Sequence, residues 1–172
     1  MLIPGRPVPD LAVTLTTGED YRLRDELIHH NYVIVEIYRG THCSVCAEHL
    51  GELDKRYEDL AAHGAATVAV SMNDRTLTLE AALKWRLSRL PLAYGLDLAA
   101  AREWGLYIST GIKDGEPPIF AEPATFVIRS DGTLYAADVR SSPHLRPQLD
   151  RLVTLVRRAE EGYPPRGTAS SA

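Results

Sequence analysis

Apolar and polar positions alternate first in the lead-in, where Leu11, Val13 and Leu15 interleave with Ala12, Thr14 and Thr16. Gly18 offers a turn, and Tyr21 and Leu23 resume the alternation, so residues 1–27 read as an extended, hairpin-like flap behind Pro4, Pro7 and Pro9. Tyr32 to Tyr38 is nearly continuous in apolar residues, the pattern of a strand covered on both faces. It ends at the turn Arg39-Gly40-Thr41. Cys46, Leu50, Leu53, Tyr57 and Leu60 then recur every three or four residues, which predicts one helix with one buried face, closed by His63-Gly64.

Ala66 to Val70 is a second buried strand. Thr76 is the expected cap of a second helix, with Leu77, Leu79, Ala82, Leu83 and Trp85 as its apolar residues. Leu92 to Gly95 is a short extended piece, and Leu98 to Trp104 a short helix. Residues 107–121 read as irregular. Thr125 to Ile128 and Leu134 to Val139 form a hairpin about Asp131-Gly132. A last helix runs from about Leu145 to Glu160. The order predicts an α/β fold: a central mixed sheet with helices on both faces and an N-terminal β extension. Residues 1–162 are expected to form a single domain and 163–172 a flexible tail.

Composition adds exclusions. A chain of 172 residues with 45% hydrophobic and 24% charged residues is neither disordered nor fibrous. The net charge of −4 and the lack of a basic block argue against nucleic acid as a partner. No apolar run is long enough for a bilayer, so no membrane partner is expected. The N-terminus does not read as a signal peptide, and a cytoplasmic location is the expectation.

Chemistry concentrates in Cys43-Ser44-Val45-Cys46, the only two cysteines, three positions apart. They fall where a buried strand gives way to a helix. Unpaired N–H groups and the macrodipole favour an anion there, and a thiolate is one. The free cysteine pKa of about 8.5 commonly drops to about 3.5–7.5 at such a place. Cys43 is expected to be the exposed attacker and Cys46 the resolver, closing a disulfide that an outside thiol reductant reopens. Arg39 and His42 could favour the thiolate. Two readings stand beside this one: inert core cysteines, and a metal site of His42, Cys43, Cys46 and His49, which offers only two sulfur ligands. No metal and no cofactor is expected. His29, His30, His63 and His144 are scattered singly, and Trp85 and Trp104 are expected to pack on the sheet.

The segment Tyr38-Arg39-Gly40-Thr41-His42-Cys43-Ser44-Val45-Cys46 resembles the Tyr-Arg-Gly-x-Trp-Cys-Pro-x-Cys active-site segment of the peroxiredoxin-like, alkyl hydroperoxide reductase/thiol-specific antioxidant branch of the thioredoxin-like superfamily. Gly5, Pro9-Asp10-Leu11, Gly18, Leu23 and Asp25 are similar to that family's opening. Val68-Ala69-Val70-Ser71, Leu90-Pro91-Leu92, Trp104-Gly105-Leu106 and Pro123-Ala124-Thr125-Phe126-Val127-Ile128 resemble later stretches in the same order. The resemblance implies a thioredoxin-like fold and an antioxidant thiol–disulfide oxidoreductase. The alternative it implies is a thiol peroxidase reducing hydroperoxides through Cys43. The reductant would be a thioredoxin or glutathione system, and a homodimer is compatible with it.

The family's Pro-x-x-x-Thr-x-x-Cys motif has no match. Setting Cys46 at its cysteine puts Cys43 and Arg39 at the other two positions; setting Cys43 there puts Gly40 and Glu36. The peroxiredoxin strand arginine falls at Pro123, which looks instead like the cis-proline of thioredoxins and implies a Glu122–Pro123 backbone that pairs with substrate. Glu36, the one charge in the first buried strand, shares a face with Ile34 and Tyr38. It is either a buried acid that takes a proton from Cys46 or a strand-end residue facing solvent or Arg39. With no strand arginine, peroxide reduction is expected to be the slower activity. Arg39, Thr41, His42, Pro123 and Glu36 complete the candidate site.

Overall fold

A computed structural model describes residues 1–145 and 148–169. The elements are β1 (Ala12–Leu15), β2 (Asp20–Arg22), α1 (Leu23–His29), β3 (Tyr32–Ile37), α2 (Ser44–Lys55), α3 (Tyr57–Ala62), β4 (Ala65–Val70), α4 (Arg75–Lys84), β5 (Leu92–Tyr94), α5 (Leu98–Glu103), β6 (Ile108–Thr110), β7 (Ile119–Ala121), β8 (Ala124–Arg129), β9 (Leu134–Val139), a 3-10 turn (Pro143–Leu145) and α6 (Leu149–Glu160). Seven strands form one sheet in the order β2-β1-β5-β4-β3-β8-β9. The central β5-β4-β3 strands are parallel, as their helical crossovers require, and the flanking pairs are antiparallel. This is the mixed α/β architecture expected, with the β1–β2 hairpin as its N-terminal extension.

β3 is buried along its whole length, and its alternate residues serve two cores. Val33, Val35 and Ile37 join Leu23 and Leu27 of α1, Ala101 of α5 and Trp104 on one face. Ile34 and Tyr38 join Cys43, Cys46, Leu50 and Leu53 near α2, Leu60 of α3 and Val156 of α6 on the other. The α2 side holds the candidate site.

Several local expectations are corrected. Leu23 to His29 is a helix rather than extended chain; its seven residues bury only Leu23 and Leu27, too few to register as a period. The long helix is two, broken at Arg56, whose N–H is shared between Glu52 and Leu53 carbonyls. The apolar stripe survives the break, so periodicity alone cannot reveal it. α4 is capped by Asp74, whose carboxylate accepts from Leu77 N, not by Thr76. Its fully buried residues are Thr78 and Ala81, while Leu77 and Leu83 face solvent. Within 107–121, β6 and β7 form a separate ribbon. Of the helix expected over 145–160, Arg146 and Pro147 lie outside the described residues, as do 170–172 of the expected tail. No helix among the described residues is long and apolar enough to cross a membrane.

Candidate active site

β3 delivers the chain to the site, and a tight turn reverses it into α2. Gly40 takes φ 134°, a left-handed value open to glycine, and a Cβ there would stand 2.6 Å from Asn73 Oδ1. Asn73, buried just past β4, donates to Thr41 Oγ1 at 3.1 Å, and the Thr41 hydroxyl donates to Leu77 O at 2.7 Å. Thr41 is therefore a fastener of the turn to α4. The Cys43 N–H then bonds Gly40 O at 3.1 Å, and the helix begins.

Cys43 is the N-cap of α2, and its Sγ accepts the Cys46 N–H at 3.2 Å. The first turn of α2 carries no acidic side chain, so the sulfur is the group there that can answer the helix's positive end. The two cysteines are not joined in a disulfide. Cys43 was expected to be exposed; it is only 4% exposed, beside a wholly buried Cys46, because both join the apolar cluster between α2 and β3.

Arg39 and His42, expected to favour the thiolate, both pack against Phe120. Arg39 lies over the Phe120 ring at 4.6 Å, with Nη2 3.5 Å from Glu116 Oε1 and Nε 3.4 Å from Glu122 Oε2. Two carboxylates thus answer one guanidinium. His42 packs on the same Phe120 ring at 4.8 Å. Burial, then the Arg39 charge, push its pKa below the ordinary histidine value, against the pull of Glu116 and Glu122. It is a neutral neighbour at neutral pH. The β6–β7 ribbon and its loop supply Phe120 and Glu116.

Pro123 is corrected in one respect. The described backbone contains no cis peptide bond. The Glu122 N–H donates to Tyr107 O at 2.8 Å, and Pro123 O accepts the Arg140 N–H at 3.0 Å. Glu122 itself accepts from the Ser109 hydroxyl at 2.6 Å.

Glu36 is wholly buried. Its Oε2 accepts the Thr125 hydroxyl at 2.6 Å, and its Oε1 lies 3.1 Å from His49 Nε2. It faces neither solvent nor Arg39. With His49 turned to Glu36 and His42 to Phe120, the four residues considered for a metal are not brought together. No group of three or more His, Cys, Asp or Glu among the described residues could share an ion. On the same face of β3, burial pushes the Tyr38 hydroxyl pKa up to about 12, against the pull of the Ser71 and Thr78 hydroxyls and with a contribution from Cys46.

Sequence reasoning missed Arg140. It follows β9, hydrogen-bonds to Pro123, and its side chain is 3% exposed. The guanidinium pairs with Asp138, but none of its three nitrogens makes a hydrogen bond among the described residues. Strand alternation puts Arg140 with Asp138 and Thr125 on the α2 side of the sheet. No sequence signal marks it, because the burial of its side chain and its backbone bond to Pro123 come from pairing with a distant segment.

A seven-stranded mixed sheet with a CxxC pair opening the helix after the inner strand β3 defines a thioredoxin-like, thiol-based oxidoreductase. The model of the AhpC/TSA family matches residues 4–137, and the chain belongs to that family. No curated protein matches the sequence. Among solved structures, it is similar to the peroxidoxin BcpB from Mycobacterium tuberculosis, with a TM-score of 0.75 and 19% identity, over 92% of this chain and 98% of that one. It is similar also to a cysteine-to-serine mutant of peroxiredoxin 6 from Arenicola marina, with a TM-score of 0.76 and 12% identity, over 93% of this chain and 74% of that one. A peroxiredoxin-like protein from Aquifex aeolicus gives a TM-score of 0.72 and 14% identity over 90% and 86%. At these identities the solved structures establish the shared fold.

Proposed function

We propose that this protein is a dithiol–disulfide oxidoreductase in which Cys43 is the nucleophile and Cys46 the resolving thiol. The observation that carries the reading is the Cys43 Sγ at the N-cap of α2, 3.2 Å from the Cys46 N–H. That bond and the helix dipole stabilise the thiolate over the thiol. The Cys43 thiolate attacks one sulfur of a substrate disulfide, and the other sulfur leaves as thiolate. Cys46 loses its proton to Glu36, attacks the Cys43 sulfur, and releases the rest of the substrate. An external dithiol, of the kind a thioredoxin or glutathione system provides, reopens the Cys43–Cys46 bond. With Cys43 only 4% exposed, the favoured disulfide is small or carried on a flexible segment rather than buried in a folded partner. A homodimer and a cytoplasmic setting are part of this reading.

One observation favours a second reading, reduction of a hydroperoxide at Cys43. Arg140 offers a buried guanidinium on the α2 side of the sheet, beside the position where the family resemblance put proline in place of arginine. It would take the donor role that Arg39, held by two carboxylates, does not fill. Stopped-flow oxidation of the reduced protein by a small aromatic disulfide and by hydrogen peroxide separates the two. The leading reading expects fast disulfide exchange, little changed by Arg39→Ala, and slow peroxide reduction. The second expects a peroxide rate near the diffusional ceiling that falls about a hundredfold or more in Arg140→Met while disulfide exchange survives. A fast peroxide reaction abolished by Arg39→Ala contradicts both assignments of charge.

A further inference from the structure

Cys46 and His49 stand one helical turn apart on α2, and both face β3. Cys46 lies near Tyr38, while His49 Nε2 reaches Glu36 Oε1 at 3.1 Å. Glu36 in β3 and Tyr38 just past its end are alternate residues, so the carboxylate and the neighbour of the resolving thiol lie on one side of the sheet. Glu36 has no exposed surface, and Thr125 occupies its other oxygen. A proton arriving there has no direct way to water.

His49 connects that carboxylate to the outside. Its side chain keeps 9% exposure. It lines an open cavity of about 590 Å³ beside Glu48, Glu52 and His144, and also an apolar cavity of about 270 Å³ between the sheet and α6. The charged groups facing these cavities from outside α2 are Arg56 at the α2–α3 junction, Asp138 from β9, and Asp150 and Arg151 from α6.

We propose that His49 is the positioning and relay residue that carries the Cys46 proton from Glu36 to solvent during disulfide closure. The inference rests on the reading above that Cys46 resolves. In the step, the Cys46 S–H proton passes to the Glu36 carboxylate. The sulfur's electron pair forms the Cys46–Cys43 bond. The bond from Cys43 to the substrate sulfur breaks, and that sulfur leaves with its electron pair as thiolate. His49 takes the proton from Glu36 and releases it into the open cavity. In reduction of the disulfide the same path runs inward.

The test is stopped-flow reaction of the reduced protein with dithiobis-nitrobenzoate, which releases one coloured thiolate when Cys43 attacks and a second when Cys46 closes the ring. In His49→Gln the first release is expected to keep its rate, and the second to slow about a hundredfold, the usual scale of a lost proton-transfer group. In His49→Ala, added imidazole should restore part of the second rate and none of the first. The second release should also lose its wild-type pH dependence. An unchanged second release in His49→Gln, or a slowed one that imidazole leaves slow, overturns the proposal. A wild-type reaction with no second release overturns the resolver reading along with it.

Discussion

The two cysteines differ because a single backbone N–H points at one of them. Cys43 holds the N-cap and receives the Cys46 amide; Cys46 lies a turn deeper with no exposure. The Cys43 thiolate is therefore expected to form with an apparent pKa below about 7.5. Iodoacetamide labelling followed against pH by mass spectrometry should modify Cys43 first; preferred labelling of Cys46 would reverse the roles. The spacing of the pair was legible in the chain, while the burial of Glu36 was one of two readings the apolar strand left open. The neutralisation of Arg39 was not legible, since Glu116 and Glu122 come from a distant ribbon. His42 gives a second test. Its folded pKa is depressed by burial and by Arg39, so the unfolded chain binds more protons below the ordinary value of about 6.5. The stability it preserves is whole above that value and falls as pH drops toward the folded pKa. His42→Gln should flatten the fall in urea midpoint between neutral and mildly acidic pH; an unchanged slope would assign it to other groups.

Among the elements, strands whose character is continuous apolarity were read correctly, and so were the hairpin turns at Gly18 and Asp131-Gly132. Helix limits were not, because caps depend on side chains that periodicity does not weigh: Asp74 displaced Thr76, and the stripe running through Arg56 concealed a break. The clasp between α2 and the segment leading into β5 was invisible for the same reason. Asp54 Oδ1 accepts the N–H groups of Ser88, Arg89 and Leu90, at 3.0, 2.7 and 2.8 Å. Burial would raise its carboxyl, but these donors outweigh it and hold the pKa below the usual carboxylate range. Asp54→Ala leaves the donors unpaired and should cost about 2–3 kcal/mol in denaturant unfolding. The carboxylate's contribution is present above the unfolded pKa of about 3.9 and is lost as pH falls through the lower folded value. A loss below about 0.5 kcal/mol, the usual range of an indifferent surface change, would show that the loop holds its shape without the clasp.

At the scale of the whole molecule, a mixed sheet with helices on both faces was legible from two βα units followed by a hairpin, and right-handed crossovers restrict its topology. What the chain concealed is how the site closes. Ribbon β6–β7 arises in a stretch rich in glycine and proline, and it brings Phe120 against both Arg39 and His42. Arg140 follows strand β9, and its backbone N–H joins Pro123 through the pairing of β9 with β8. These are contacts between segments far apart in sequence, and no local pattern encodes them. The dithiol therefore lies within the fold, and its chemistry depends on Cys46 meeting Cys43 there. Tryptic mapping after one equivalent of oxidant tests that most directly. The account predicts that the peptide spanning residues 40–55 becomes lighter by two hydrogens, carries no free thiol, and regains both on treatment with dithiothreitol. Recovery of Cys43 as a sulfinic acid with Cys46 still free, or of disulfides only between separate chains, would contradict it.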